Sequence, residues 1–337
     1  MSNMQMSKIL TEKEEPRIML VMPENNFKNM RLFCGSSNVS LGNEIASILG
    51  IKMGNMNLSK FSCGENYARI EESIRGIEAY IIQTIGTTPN DDYMELFLMM
   101  DALKRSSASR IHVVIPHFGY ARQDKKSAPR EPISSRLIAD LLSAVGFDRL
   151  ITVDLHSDQI QGFFSQPVDH LTTLPIFIEH FAKKNIQDLV VVAPDTGRAK
   201  FAKKLGDQLG ADLAVMHKTR PNHNVAEITN IVGNVEGKNL LIVDDMVDTA
   251  GSVTSGLKVL REQGCKDIYL AATHGVFSGP AIERLSTAGF KEVVITNSIN
   301  VPEEKHFKEL KTLSLAPMLA EAIRRNYNKQ SISSLFI

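Results

Sequence analysis

Residues 240–256, LLIVDDMVDTAGSVTSG, change abruptly from aliphatic to acidic and then to small side chains. The run 240–243 contains only branched aliphatic residues and does not alternate with polar ones, which is typical of a parallel strand covered on both faces. Three aspartates follow closely, and after them small and hydroxyl residues lead into a helical pattern that begins at Ser252. The segment therefore predicts a buried strand, a polar loop and a helix in immediate succession.

Six further aliphatic runs of this kind are spaced along the chain, with amphipathic helical patterns between them. Repeated strand and helix units predict an α/β fold in which parallel strands are joined by right-handed crossovers. The two clearest helical patterns occupy residues 133–146 and 252–264, and each ends at a glycine. The predicted strands are 239–245 and, in addition, 79–85, 110–116, 149–155, 188–194, 268–274 and 292–298.

Two of these units resemble each other in sequence. VVIPHFGYARQDKK (113–126) aligns without gaps on VVAPDTGRAKFAKK (191–204), and the residues coincide at seven of fourteen places. Chance similarity between two strand–turn–helix units is the alternative, but we favour a duplicated α/β domain.

Length and composition limit the class of protein. The 337 residues suffice for two domains of ordinary size, and residues 1–28 predict a loosely attached N-terminal extension. Lys plus Arg and Asp plus Glu are equal at 38 each, so an anion site has to be built locally and nucleic acid is not an expected partner. There is neither a membrane-length apolar run nor a signal-peptide core. The scattered Cys34, Cys63 and Cys265 lack CxxC spacing, which argues against structural zinc and favours a cytoplasmic location.

The loop after strand 239–245 suits a sugar phosphate. Ligands of open α/β sheets bind beyond the carboxyl ends of the strands, where backbone N–H groups at a helix N-terminus can hold a phosphate. Asp244 and Asp245 would repel a phosphate, but they can accept hydrogen bonds from vicinal hydroxyls, so a ligand with both groups resolves the conflict. For an isolated pair of aspartates, a solvated helix cap would be the simpler interpretation. The complete sequence of aliphatic, acidic, small and hydroxyl residues favours a sugar-phosphate site instead.

This stretch resembles the phosphoribosyl-pyrophosphate (PRPP) binding signature of phosphoribosyltransferases and PRPP synthetases. Neither GxxxxGK[ST] nor GxGxxG occurs, so Walker-type and dinucleotide-binding hypotheses lapse. The resemblance to class I ribose-phosphate pyrophosphokinases extends from about Arg31 to the C-terminus. Besides the aspartate loop, it rests on GYARQDKK (119–126), DLHSDQIQGFF (154–164), THGVFSG (273–279) and SISSLF (331–336).

The resemblance implies two related phosphoribosyltransferase-like domains, each a parallel sheet flanked by helices. The N-terminal domain is expected at 29–170, with the tail 327–337 packing on it, and the C-terminal domain at 171–326. The implied activity is that of a ribose-phosphate diphosphokinase, which transfers the β,γ-pyrophosphoryl group of Mg-ATP to the C1 hydroxyl of D-ribose 5-phosphate. The products are PRPP and AMP, the cofactor is Mg²⁺, and ATP and ribose 5-phosphate are the substrates.

Two sets of binding residues follow from the resemblance. Arg122 and Gln123 match the family's ATP-contacting pair, and a guanidinium suits a polyphosphate because it stays charged and donates bidentately. The remaining predicted ATP contacts are Phe61, Glu65 and His156. Ribose 5-phosphate is expected to bind through its ring hydroxyls and 5-phosphate to Asp244, Asp245, Asp248, Thr249, Ala250, Gly251 and Ser252.

The resemblance also implies metal ligands and catalytic residues. His156 and Asp195 match the family's divalent-metal ligands; magnesium prefers oxygen, so Asp195 fits directly, while His156 is either an unusual ligand or a partner of a phosphate. Lys218 and Arg220 alternate along an extended segment and match the catalytic loop whose charges stabilise the transferring group. No general base is evident; Asp248 and a metal-bound water are both left open.

Two segments depart from the family pattern. In FSCGE (61–65), which usually completes the site of a neighbouring subunit, Phe61 would stack on adenine and Glu65 would bind its polar edge, but Cys63 replaces the usual aspartate. In PDTGRAKF (194–201), Arg198 replaces the second of two adjacent glycines and Phe201 replaces a basic residue. Because glycine often permits a special backbone conformation, Arg198 brings catalytic competence into question.

A regulatory site and two rival functions complete the sequence-based hypotheses. Phosphate and ADP are expected effectors in a homo-oligomer, a hexamer by resemblance. One rival is a PRPP-synthetase-associated regulatory subunit with little activity, and the other is a PRPP-consuming phosphoribosyltransferase, for which no nucleobase-pocket signature is present. The predicted regulatory residues are Ser73, Arg75, Lys125, Ser331, Ser333 and Phe336.

Overall fold

The computed structural model describes residues 27–222 and 225–335, except for the side chains of residues 218–222 and 225–229. Only the last two residues of the predicted N-terminal extension, 1–28, fall within these ranges, and Phe336 lies outside them. None of the helices in these ranges is long and apolar enough to cross a membrane.

Parallel strands alternate with helices along most of the described chain. The strands are β1 (Met30–Cys34), β2 (Met56–Lys60), β3 (Asn66–Ile70), β4 (Glu78–Ile82), β5 (Arg110–Ile115), β6 (Arg149–Val153), β7 (Val168–Leu171), β8 (Leu189–Ala193), β9 (Asp212–Asn222), β10 (Val225–Val232), β11 (Asn239–Val247), β12 (Ile268–Gly275), β13 (Glu292–Thr296) and β14 (Leu310–Leu313). The helices are α1 (Val39–Leu49), α2 (Pro89–Arg105), α3 (Ser134–Val145), α4 (Leu174–Ala182), α5 (Ala199–Leu209), α6 (Gly251–Glu262), α7 (Ala281–Thr287) and α8 (Ala316–Tyr327).

The first sheet is wholly parallel, in the order β1-β4-β5-β6-β7. Side chains of α2 and α3 pack on one of its faces, in a core that includes Leu96 and Leu142. The opposite face is covered by α1 and by α8, whose Leu319 and Ile323 share a core with Tyr80 of β4. Helix α8 lies in the sequence range predicted for the second domain, yet it packs on the first sheet. The chain thus returns to its first sheet before it ends.

The second sheet has the order β10-β9-β8-β11-β12-β13-β14. Its strands are parallel, apart from β10, which pairs antiparallel with β9. Helices α6 and α7 pack on one face, and α4 and α5 pack on the other. The predicted fold, two parallel sheets flanked by helices, is confirmed.

All seven predicted strands are present, because each contains an aliphatic run that is buried within its sheet. The sequence missed the antiparallel hairpin of β2 and β3, in which every strand residue is exposed or half-buried and the aliphatic signal is weak. One detail needs correction. The predicted strand 239–245 ends at Asp245, but β11 continues to Val247, so Asp244 and Asp245 lie within the strand and not at its end.

Candidate active site

Asp244 and Asp245 occupy the carboxyl-terminal part of β11, which pairs with β12 beyond both aspartates, as far as Val247 opposite Gly275. Asp245 is only 3% exposed, whereas Asp244 is half-buried. Successive strand residues face opposite sides of a sheet, so the two carboxyl groups have different surroundings. Of the two, Asp244 is the more accessible to a ligand.

His156, at the end of the first sheet, meets Asp245 across the domain boundary. Its Nδ1 lies 2.7 Å from Oδ2 of Asp245, and this hydrogen bond raises the pKa of His156 against the effect of partial burial. Burial opposes ionisation of Asp245, but its hydrogen bonds with His156 and Asp244 lower its pKa below the ordinary value. Burial and the neighbouring charge of Asp245 raise the pKa of Asp244. The pKa of Asp245 therefore lies below that of Asp244, so the pair ionises first at Asp245.

The loop from Asp248 to Ser252 turns directly into helix α6, which begins at Gly251. Ala250 caps the helix in the left-handed conformation, with φ of 59°, and is almost fully buried. Arg284 of α7 donates to the carbonyl oxygen of Thr249 at 2.9 Å and fixes the loop from outside. The N–H groups of the first turn of a helix have no intrahelical acceptor, and such groups can bind a phosphate.

Arg122 connects the two domains at this edge. Its Nη1 lies 2.7 Å from Oδ2 of Asp248, and its side chain is 57% exposed. Gln123 is exposed, and its side-chain oxygen accepts a hydrogen bond from the hydroxyl of Ser134 at the start of α3. The predicted ATP-contacting pair therefore stands beside the predicted sugar-phosphate loop, with Arg122 exposed to solvent.

Asp195 follows β8 after Pro194 and shapes the turn into α5. Its Oδ1 accepts hydrogen bonds from the backbone N–H groups of Gly197 at 2.9 Å and Arg198 at 3.2 Å. Lys218 and Arg220 lie in β9, where Lys218 is paired with Ile228 of β10, but their side chains are not among those described. Their predicted catalytic role therefore stays a prediction.

The described side chains limit how a metal can be held. Since Nδ1 of His156 faces Asp245, Nε2 is the ring nitrogen left for a ligand, an arrangement common for metal-binding histidines. Within the described ranges, no group of three or more His, Cys, Asp or Glu side chains is placed to hold a metal. A Mg²⁺ ion suits such a site only if substrate oxygens and water complete its coordination.

Phe61 and Glu65 lie at the tip of the β2–β3 hairpin. Phe61 is 54% exposed and packs edge-on against Tyr67, with the ring centroids 5.5 Å apart. Cys63 is also exposed at this tip. An aromatic ring that is largely open to solvent on a projecting hairpin suits the predicted contribution to a neighbouring subunit's site.

The predicted regulatory residues fall into two groups, one on the N-terminal domain and one in the C-terminal tail. Ser73, Arg75 and Lys125 are exposed on the N-terminal domain. In the tail, the hydroxyl of Ser331 donates to that of Ser333 at 3.0 Å, and among the described residues no hydrogen bond or ion pair joins the two groups. Their predicted association stays a prediction about an assembly.

Sequence analysis missed the polar network that joins the domains behind the site. Oδ2 of Asp154 accepts hydrogen bonds from Thr173, in the connection between the domains, and from Thr273 of β12 at 2.7 Å. His274 packs against His117 of the first domain, with ring centroids 4.7 Å apart. All five residues are buried. Asp154 and Thr273 are 119 positions apart, and His117 and His274 are farther apart still, so the sequence offers no local signal for these contacts between the domains.

Two family models match the chain. Residues 30–146 match a model described as the N-terminal domain of ribose phosphate pyrophosphokinase. Residues 220–337 match a model described as the phosphoribosyl synthetase-associated domain. The two matches cover most of the first sheet and the loop that carries the aspartates.

Similar proteins align over almost their full length. A ribose-phosphate pyrophosphokinase of Corynebacterium ammoniagenes is 48% identical over 91% of this chain and 97% of its own. The crystal structure of phosphoribosylpyrophosphate synthetase from Mycobacterium smegmatis has a TM-score of 0.84 and 44% identity, and covers 90% of this chain and 100% of its own. The ribose-phosphate pyrophosphokinase of Bacillus subtilis is 50% identical over 92% of this chain and 98% of its own. On this identity and coverage, the chain belongs to the ribose-phosphate pyrophosphokinase family.

Proposed function

We propose that this chain is a ribose-phosphate diphosphokinase, which transfers the β,γ-pyrophosphoryl group of Mg-ATP to the C1 hydroxyl of D-ribose 5-phosphate. The Arg122–Asp248 ion pair carries the proposal, because it brings the predicted nucleotide loop of one domain against the predicted sugar-phosphate loop of the other. A phosphoribosyltransferase would need only the second of these loops. The relatives are named ribose-phosphate pyrophosphokinases, which favours an enzyme over a regulatory subunit.

The reaction requires that two substrates meet in line. The C1 hydroxyl oxygen attacks the β-phosphorus of ATP, the bond from that phosphorus to the oxygen it shares with the α-phosphorus breaks, and AMP leaves with that oxygen. The hydroxyl proton is lost to solvent. Such transfer depends on positioning and on stabilisation of phosphoryl charge, and the site offers both.

Each part of the site has a distinct role in this proposal. The loop 248–252 and the first turn of α6 bind the 5-phosphate, and Asp244 contacts a ring hydroxyl. The buried Asp245 orients His156, whose Nε2 then faces the nucleotide. Arg122 binds the polyphosphate, and Lys218 and Arg220 stabilise charge on the transferring group.

Mg²⁺ fits the donors that the site offers. The carboxylate of Asp195 is an oxygen ligand of the kind magnesium prefers, and His156 is either a second ligand or a partner of a phosphate. When bound, the ion neutralises charge on the β- and γ-phosphoryl oxygens.

We further propose a cytoplasmic homo-oligomer, a hexamer by resemblance, with phosphate and ADP as effectors. The exposed hairpin tip with Phe61 supports a site shared between subunits. Ser73 and Arg75 are exposed, so the C-terminal tail of a neighbouring subunit can reach them at the predicted regulatory site. The three cysteines are free, as expected in a reducing compartment.

A product assay tests the proposed activity. The purified chain is incubated with Mg-ATP and ribose 5-phosphate, and AMP is resolved from ADP and quantified beside PRPP. AMP that appears only with the sugar, in equal amount to PRPP, is the expected result. ADP would indicate an ordinary kinase, and tight ribose 5-phosphate binding without turnover would indicate the regulatory subunit.

A further inference from the structure

Arg198 is partly buried, and two of its guanidinium nitrogens have no hydrogen-bond partner among the described residues. Its Nε and Nη2 atoms are buried and make no hydrogen bond to any described residue. The centre of the guanidinium lies 4.6 Å from the ring centroid of Phe201. A buried charged donor without an acceptor is costly, and one cation–π contact offsets only part of that cost. The arrangement therefore predicts that an acceptor binds there.

The position of Arg198 identifies the kind of acceptor. It follows Gly197 and precedes the first residue of α5, so it lies at the carboxyl end of β8 beside Asp195. Its positive charge opposes the rise that burial causes in the pKa of Asp244, which places the charge within electrostatic reach of the sugar-binding carboxyl. A ligand between these groups has to be anionic on the side of Arg198.

The positions of the two unpaired guanidinium nitrogens indicate which chemical group the acceptor is. Nε and Nη2 are neighbouring donors along one edge of the guanidinium plane, and this edge can donate two parallel hydrogen bonds to two oxygens of one phosphoryl group. We propose that Arg198 binds the pyrophosphoryl group during its transfer and in the product. This inference rests on the proposed function, to which it adds a residue that contacts the transferred group.

The ring of Phe201 contacts the same guanidinium group. Residues three apart on a helix share a face, and the ring at this position supports the guanidinium from below. The family resemblance leads us to expect glycine at position 198 and a basic residue at 201. In this chain the positive charge belongs to Arg198, and its guanidinium group lies over the ring of Phe201. We infer that the two departures compensate each other, with the cation moved along the chain but kept in the site.

The backbone allows this exchange. Arg198 has φ of −90° and ψ of −3°, which any residue can adopt, so glycine is not required here. The concern that Arg198 distorts the loop is therefore removed, and Arg198→Gly should fold normally. This makes the residue suitable for a functional test.

The test uses three variants of the full chain: Arg198→Gly, Arg198→Lys, and the double variant Arg198→Gly with Phe201→Arg. Binding of inorganic pyrophosphate in Mg²⁺ buffer and binding of ribose 5-phosphate are measured by calorimetry, and kcat and KM for ATP by AMP formation. Lys203→Ala is the matched control, because it removes one positive charge from the exposed side of the same helix.

We expect Arg198→Gly to weaken pyrophosphate binding and to lower kcat/KM for ATP by about 100-fold each, with ribose 5-phosphate binding changed less than about threefold. Arg198→Lys should fall between, since an ammonium keeps the charge but lacks the two-donor edge. The double variant should recover at least about tenfold of the loss, and Lys203→Ala should match the unaltered chain.

Pyrophosphate binding that is unaffected by Arg198→Gly would overturn the inference. An equal loss of pyrophosphate and ribose 5-phosphate binding would also overturn it, since Arg198 would then act only as a counter-ion to the aspartates. Failure of the unaltered chain to form AMP from ATP and ribose 5-phosphate is a separate result, because it contradicts the proposed function while the pyrophosphate measurement still decides on Arg198.

Discussion

The two segments that echo each other in sequence, residues 113–126 and 191–204, share a strand and then diverge. β5 ends at Ile115 and β8 ends at Ala193, which are equivalent positions in the gapless alignment. The shared glycine follows four residues later in each. Directly after that glycine, Tyr120 has φ of 64°, whereas its counterpart Arg198 has φ of −90°.

That difference separates the tasks of the two loops. The negative φ lets α5 begin at Ala199, so the second loop is short and keeps Asp195 and Arg198 beside their own strand. The positive φ turns the chain away from a helical path, and α3 does not begin until Ser134. The longer first loop can therefore carry Arg122 to the other domain. The equivalent strands β5 and β8 are thus followed by different loops. The loop after β5 bridges to the other domain, and the loop after β8 stays beside its own strand.

The largest expected effect concerns the short loop. Asp195→Asn should lower kcat by about 100-fold and raise the Mg²⁺ concentration needed for half-maximal rate, because the variant loses the proposed ligand charge. Its side-chain oxygen can still accept the hydrogen bonds from Gly197 and Arg198 that shape the loop. Steady-state kinetics at varied Mg²⁺ measure this, with Asp207→Asn on the exposed face of α5 as the control. Unchanged kinetics would remove Asp195 from the metal site.

The shared glycines should differ in their tolerance of a methyl group. A Cβ at Gly119 would lie 2.4 Å from Cγ2 of the fully buried Ile85, whereas a Cβ at the exposed Gly197 would lie 3.1 Å from Oδ1 of Asp195. We expect Gly119→Ala to lower the free energy of unfolding by roughly 2 kcal/mol, and Gly197→Ala to lower it by less than about 0.5 kcal/mol. Urea unfolding of both variants tests this, and equal losses would contradict the packing difference.

A buried histidine should make the bridging loop sensitive to acid. Burial, together with the neighbouring His274, lowers the pKa of His117 from 6.5 to about 3. Because His117 binds a proton less readily in the folded state than in the unfolded state, its contribution to the free energy of unfolding is fully present above pH 6.5. That contribution is lost as the pH falls towards 3. At 1.36 kcal/mol per pH unit, the fall from pH 6.5 to about pH 5 should cost about 2 kcal/mol.

His117→Asn checks the origin of that loss. The amide can replace the Nδ1–H donor to the carbonyl of Ile85 but does not titrate, so unfolding free energy should vary less between about pH 6.5 and 5. His306→Asn, at an exposed position, should leave the wild-type slope unchanged. A variant of His117 that is as acid-sensitive as the wild type would place the titrating group elsewhere.

The smallest effect on folding is expected at the bridging arginine. The Arg122–Asp248 pair is largely exposed on the arginine side, so Arg122→Ala should reduce stability by less than about 1 kcal/mol. ATP affinity should nevertheless fall by about tenfold, because a polyphosphate contact is lost. Calorimetric titration with ATP beside urea unfolding separates the two. A large loss of stability with normal ATP binding would make Arg122 a structural link alone.

The sequence predicted what its local patterns encode. Unbroken aliphatic runs located the seven buried strands, and the resemblance supplied the candidate site residues that the structure places beside β11, such as Arg122 and His156. The conformation of Tyr120 could not be predicted, because a positive φ at a non-glycine residue depends on the surrounding packing. The role of Asp154 was equally hidden, since its partner Thr273 is distant in sequence.

Helix α8 has a consequence for the synthesis of the protein. The ribosome completes the first sheet at Leu171, but α8, which covers one of its faces together with α1, starts only at Ala316. At a translation rate of about 5 to 20 residues per second, α8 is synthesised roughly 7 to 30 seconds after the sheet that it packs on. During this interval the nascent chain displays an apolar surface to chaperones. A transcript truncated before α8 would therefore yield a chain recognisable as incomplete by its first domain, far from the missing end.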